Sequence, residues 1–244
     1  MRAALLVALA LVPATSLAQP DPRAVLERAI AAHGGREKLA GVRADKVRLK
    51  GTLQVGDDAL PFVNELTLQL PGQFKSVVAI QLGNRTRTIA HLLDGDNATI
   101  LIDGQAQVVS PMHLAQLRQT LRLEQALRLV PLLGDPAFTL HPLPEVRYNN
   151  QVFAGVRVQG KGQRDVKLYF DRTSGLLVKT EHLLDGAGGK DVVQEAFYGS
   201  YRDVGGYRRP GKIVVYRDGK KVMEAELIDA RRYDRIDPIE FTRP

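Results

Sequence analysis

The sequence predicts a mainly β protein: one large, curved antiparallel sheet in a single domain, with an N-terminal helix and one lid-like helix inserted between strands. Three observations predict it. Apolar and polar residues alternate with period two through most of the chain, the signature of strands with one buried and one wet face. Turn-forming residues interrupt that alternation at roughly ten-residue spacing, as in a meander of about a dozen strands. Helical periodicity is confined to two stretches, so the strands adjoin one another in sequence. The 244 residues, with 44% apolar and 25% charged side chains, have an ordinary globular composition and are ample for one core.

The chain opens with Met1-Arg2, an apolar run from Ala3 to Val12, Pro13, and Ser16-Leu17-Ala18. A basic start, a short apolar stretch and small residues at minus three and minus one read as a secretory signal peptide cut after Ala18. The run is shorter than the roughly 20 residues a membrane span needs. The expected division is therefore 1–18 signal peptide and 19–244 folded domain.

Each element follows from local signals. Asp21 and Pro22 are suited to N-cap and first-turn positions. Val25, Leu26, Ala29, Ile30 and His33 recur at helical spacing, Gly34-Gly35 ends the helix, and Arg36–Ala40 adds a turn. From Val47, Leu49, Gly51, Leu53 and Val55 alternate with charged and polar neighbours. Further strands are expected at 61–70, 73–82, 85–93, 98–103 and 105–109, separated by Gly56-Asp57-Asp58, Pro71-Gly72, Gly83-Asn84, Asp94–Asn97 and Asp103-Gly104. Ser110 and Pro111 then open an amphipathic helix carrying Leu114, Leu117, Leu121 and Leu127, which Pro131 and Gly134-Asp135-Pro136 are expected to stop. Strands resume after Phe138, turn at Tyr148–Gln151, and continue at 152–159, 164–170, 176–184, 191–202, 211–217 and 221–233.

Chemistry-bearing constellations are scarce. Cysteine is absent, which excludes disulfides, zinc–cysteine and iron–sulfur sites, a thiol nucleophile and a lipid-modified cysteine. The five histidines, His33, His91, His113, His141 and His182, lie at no metal-binding spacing. His182 lies in an alternating strand and His33 at a helix end, where a cation suits the dipole, and each reads as a structural histidine. Ser200 lies in no nucleophile elbow. Asp94–Asn97 lacks the closing Glu of a calcium loop. Glu181, Glu195, Glu224 and Glu226 fall on strands, where two could converge as a carboxylate pair. No catalytic residue, metal site or cofactor is expected, and the residues read as binding rather than catalysis. The net charge of +7 suits anionic surfaces, while export argues against nucleic acid.

In the second half, Leu168-Tyr169-Phe170-Asp171-Arg172-Thr173-Ser174-Gly175-Leu176-Leu177-Val178-Lys179 resembles the strand–turn–strand signature of the LolA-like outer-membrane lipoprotein-sorting proteins. Tyr198–Pro210, the Asp218-Gly219-Lys220 hairpin and the tail Ile236–Pro244 extend the resemblance, as does Ala32-His33-Gly34-Gly35 near the start. The resemblance implies a half-open β-barrel whose helices close its mouth. It implies a monomeric periplasmic carrier or chaperone that shields lipoprotein acyl chains, or another lipid, between an inner-membrane donor and an outer-membrane acceptor. On that reading Val47, Leu49, Leu53, Leu66, Leu68, Leu70, Val78, Ile80 and Leu82 are the candidate cavity lining. Leu114, Leu117 and Leu121 are the candidate lid. Having no cysteine, the chain would be the soluble carrier and not the lipid-anchored acceptor. The alternative is an envelope protein-interaction or stress-sensor module on the same fold, with a filled core and no lipid.

Overall fold

A computed structural model describes residues 19–148, 150–160, 164–186 and 189–242; the expected signal peptide lies outside them. Asp21 caps helix α1 (Pro22–Ala32), its carboxylate accepting the Arg23 N–H at 3.0 Å. After Gly34 and Gly35, both at positive φ, comes the short α2 (Arg36–Ala40). An added Cβ at Gly34 would collide with the Gly206–Tyr207 backbone, so glycine is required here by both conformation and space.

Six strands follow: β1 (Ala44–Val55), β2 (Asp58–Gln69), β3 (Gln73–Leu82), β4 (Arg85–Asp94), β5 (Asn97–Ile102) and β6 (Gln105–Gln107). Helix α3 (Pro111–Leu127) begins as the sequence predicts, with the Ser110 hydroxyl accepting the His113 N–H. It ends earlier than Pro131. Leu129 adopts φ 59°, a left-handed conformation that interrupts the helix, and Val130–Leu133 forms a separate 3₁₀ turn. The remaining strands are β7 (Phe138–Tyr148), β8 (Gln151–Gly160), β9 (Val166–Asp171), β10 (Leu177–Asp185), β11 (Asp191–Gly199), β12 (Arg202–Val204), β13 (Tyr207–Arg209), β14 (Lys212–Arg217) and β15 (Lys220–Tyr233). The expected strand 191–202 is divided: β11 stops at Gly199, and β12 pairs with β13 in a separate two-stranded ribbon.

Thirteen strands form one antiparallel sheet in the order β6-β5-β4-β3-β2-β1-β15-β14-β11-β10-β9-β8-β7. Its two halves are successive meanders, and only the β1–β15 ladder, running from Ala44↔Tyr233 to Leu53↔Met223, joins them within the sheet. Gly51 sits in that ladder. A Cβ there would fall inside the van der Waals envelope of the Glu224 carbonyl oxygen.

Helix α3 packs on both β4 and β10, although six strands lie between those two. At about 4.8 Å per strand the two are roughly 34 Å apart along the sheet, while a 17-residue helix is about 25 Å long. The sheet is therefore strongly curved, and α3 crosses its open side. One core lies between α1, α2, the end of α3 and the inner face of β8–β10, with Leu26, Ile30, Val156, Leu168 and Phe170 at its centre. A second joins Leu117 and Leu121 of α3 to Leu68, Phe74 and Leu93. The sheet edges β6 and β7 do not pair with each other, so no barrel closes.

Candidate functional site

On β1, Asp45, Val47 and Leu49 share the inner face with Leu68 and Leu66 of β2, the register partners of Asp45 and Val47. Between this part of the sheet and the helices lies a cavity of about 140 Å³. Leu39, Val42, Val47, Leu49, Leu66, Leu127, Leu129, Leu177, Ile213 and Leu227 supply most of its wall. Three of the nine sequence-predicted cavity residues, Val47, Leu49 and Leu66, are in it. Leu68 and Leu70 instead meet the predicted lid, as Leu66 also does: Leu114, Leu117 and Leu121 pack in one cluster with them. Leu53, Val78, Ile80 and Leu82 lie farther along the sheet, outside the cavity wall; Leu82 is 39% exposed.

The ionisable groups at this cavity are the residues that sequence reasoning missed. Asp45 is fully buried, and two arginines hold it. Arg128 of α3 donates to both carboxylate oxygens at 3.0 and 3.2 Å. Arg209 of β13 donates at 2.5 Å, and also at 3.2 Å to the Tyr207 hydroxyl. Burial opposes ionisation of Asp45, but the charges and hydrogen bonds of Arg209 and Arg128 outweigh it and hold the carboxyl below its usual range. One turn before Arg128, Glu124 lines the same cavity and makes no hydrogen bond or ion pair with the described residues. Burial pushes its pKa up; Arg128 and Arg209 oppose that rise, and Asp45 adds to it. The signal was available. Asp45 keeps step with Val47 and Leu49 on the apolar face, and Leu117, Leu121, Glu124 and Arg128 recur at helical spacing.

Tyrosines and a histidine, with Arg208 and Pro210, complete the rim. Tyr198 shares a 3.1 Å hydrogen bond with Thr180, and Tyr201 donates to the Leu177 carbonyl at 2.6 Å. His33 is a structural histidine, as the sequence reading has it: it is buried, and burial lowers its pKa despite a bond to Ala29. The neutral ring bonds the Ala29 carbonyl through Nδ1 at 2.8 Å and accepts the Leu177 N–H through Nε2 at 3.5 Å. His182 is buried as well. Burial, followed by the charge of Arg217, lowers its pKa to about 4.

Helix α3 is held unequally along its length. Near its C-terminus the buried Arg128–Asp45 pair fixes it to β1. Toward its N-terminus the polar contacts are exposed: Arg118 to Asp96, and the Gln116 amide to the Asp185 carbonyl.

Of the four strand carboxylates, Glu181 and Glu195 do converge. They face each other across β10 and β11 on the outer side of the sheet, bridged by Lys179 at 3.1 and 2.5 Å.

No family model matches the sequence, and no curated protein matches it. Solved structures do match. A LolA superfamily protein from Nitrosomonas europaea superposes with a TM-score of 0.57 at 12% identity, covering 91% of this chain and 97% of that one. An outer membrane lipoprotein-sorting protein domain from Vibrio parahaemolyticus gives 0.55 at 10% identity, covering 89% and 94%. A DUF1329 family protein from Desulfovibrio piger gives 0.58 at 10% identity, covering 91% and 98%. At these identities the likeness is one of fold, and the fold is LolA-like.

Proposed function

We propose that this chain, with its LolA-like fold, is a soluble periplasmic carrier that shields acyl chains of lipoproteins, or of another lipid, between sheet and helices. It would take them from an inner-membrane donor and deliver them to an outer-membrane acceptor; it is not an enzyme. The observation that carries this reading is the apolar cavity beneath a helix that spans the open side of the sheet. A space of about 140 Å³ accommodates only a benzene-sized group, so a whole acyl chain requires α3 to lift. The contacts of α3 suit such a movement, because the buried ion pair anchors one end while exposed contacts, worth at most about 1 kcal/mol each, hold the other. Uncovering Leu117 and Leu121 costs about 3–6 kcal/mol. An acyl chain returns about 0.8 kcal/mol per buried methylene, so roughly eight methylenes offset the opening.

The test is saturable uptake of a dansyl-labelled undecanoic acid by purified residues 19–244, followed by fluorescence. Wild type is expected to bind, and Leu66→Glu, with a charge in the wall, to bind at least about tenfold more weakly. No uptake by the wild type, or unchanged uptake by a folded Leu66→Glu, refutes the reading.

A further inference from the structure

The outer face of the sheet carries an open groove of about 730 Å³, away from the cavity. Five aromatic side chains line it: Tyr148, Phe153, Tyr169, Phe197 and Tyr216, in a chain with only seven tyrosines, seven phenylalanines and no tryptophan. Exposed apolar patches of this kind mark binding surfaces. Phe197 is 41% exposed and meets Tyr216 edge to face at 5.6 Å. The Tyr169 ring lies against Gly155, where a Cβ would stand 3.2 Å from its edge, so the missing side chain lets the ring rest on the sheet.

Polar groups run through the middle of this surface. Lys179 lies between the rings, 5.3 Å from the Tyr169 centroid and 5.7 Å from that of Phe197. It bridges Glu195 and Glu181, and Lys167 makes a second ion pair with Glu181 at 2.6 Å. Like charges opposite each other on neighbouring strands are destabilising, and here Lys179 and Lys167 offset that repulsion.

The balance of charge selects the ligand. The charged residues lining the groove are Lys179 and Glu195, one of each sign, and the adjoining Lys167–Glu181 pair keeps the balance, so neither a polyanion nor a polycation is favoured. A hydrocarbon lying across the groove would cut Lys179 and Glu195 off from water without replacing those hydrogen bonds. A sugar has hydroxyls that donate to carboxylates and accept from an ammonium, and C–H faces that rest on aromatic rings. Tyr169 and Phe197 stand two strands apart, about 10 Å at ordinary strand spacing, the length of a disaccharide unit in an extended chain. A glycosidase would need one of the two carboxyls protonated. Burial raises the pKa of Glu181, but its lysine partners more than reverse that and hold it ionised. Glu181 is therefore not placed to act as the general acid, and the groove reads as a binding site.

We propose that this groove is a binding site for a neutral oligosaccharide, with Tyr169, Phe197 and Tyr216 stacking on the sugar and Glu195 and Lys179 meeting its hydroxyls. The site is independent of acyl-chain carriage. The experiment is calorimetric titration of residues 19–244 with maltotetraose, cellotetraose and chitotetraose, each to several millimolar. Saturable binding of at least one is expected, weakened about tenfold or more by Phe197→Ala and by Glu195→Gln, with thermal melts confirming folded variants. Saturation-transfer NMR on the wild type, irradiating aromatic protons, should label the sugar C–H groups without need of any variant. The proposal is overturned if no sugar binds, if binding survives both substitutions, if the fatty-acid probe displaces the sugar, or if a decaproline peptide binds with the same sensitivities and the sugars do not.

Discussion

Acidification should destabilise the protein through His182, and the size of the effect follows from the ring's surroundings. His182 is 5% exposed. Its Nε2 lies 3.4 Å from the Gln194 amide nitrogen, whose carbonyl oxygen accepts from Arg217 at 2.9 Å. Arg217 thereby turns the amide N–H toward the ring, so Nε2 accepts and the hydrogen resides on Nδ1, which has no partner among the described residues. A second proton would face those N–H groups in a buried setting, so the pKa falls from 6.5 to about 4. A folded-state pKa below the unfolded one means that the unfolded chain takes up the proton first. The stability is therefore intact above pH 6.5 and is lost as pH falls toward 4. Each tenfold difference in proton affinity between the folded and unfolded chains is worth about 1.36 kcal/mol. From pH 7.5 to pH 5 the loss is then about 2 kcal/mol, and by pH 4 about 3 kcal/mol. Guanidinium unfolding of wild type and His182→Leu at pH 7.5, 6 and 5 measures it. His33 and His91, both also lowered by burial, remain in the two proteins and drop out of the difference. If wild type loses no more stability than His182→Leu over this range, the ring is not held neutral as described and the reasoning fails.

Two further outcomes test the cavity. Asp45→Asn leaves Arg128 and Arg209 buried without their counter-charge, and should cost about 3–5 kcal/mol in denaturant unfolding; a loss within error of zero would mean that water already reaches the arginines. Glu124 acts in the direction opposite to His182. Its folded pKa is raised, so its contribution to stability is complete below the ordinary carboxylate pKa and is lost as pH rises through the folded value. An acyl chain against Glu124 disfavours its charge further, so uptake of the dansyl fatty acid should tighten several-fold as pH falls, and Glu124→Gln should flatten that dependence. Identical pH profiles for the two proteins in the binding titration would refute this.

Most of the sheet was legible because alternation and turn residues are local signals. The same period determines the inner face, where Val47, Leu49 and Leu66 lie at the cavity wall. The Ser110-Pro111 start of α3 was equally plain. Its end was not, because a leucine at positive φ leaves no mark in the sequence and Leu129 continues the apolar spacing. The inward position of Asp45 and Arg128 could be read from their spacing, but their pairing could not: Asp45 is 83 residues from Arg128 and 164 from Arg209. A charge on an apolar face shows that it is buried, but its partner is known only once the fold brings the two together.

The β1–β15 ladder also governs the order in which this protein can fold. Every other ladder of the large sheet joins hairpin neighbours or strands a short connection apart, so each half can assemble from local contacts. The seam instead brings together Ala44 and Tyr233, and its loop-closure entropy must be met before any of its contacts form. Seam closure should therefore be the late, slow event in refolding. The same event carries Arg209 toward Asp45, so dehydration of that carboxylate belongs to the last step, and the cavity exists only once the two halves of the chain have met.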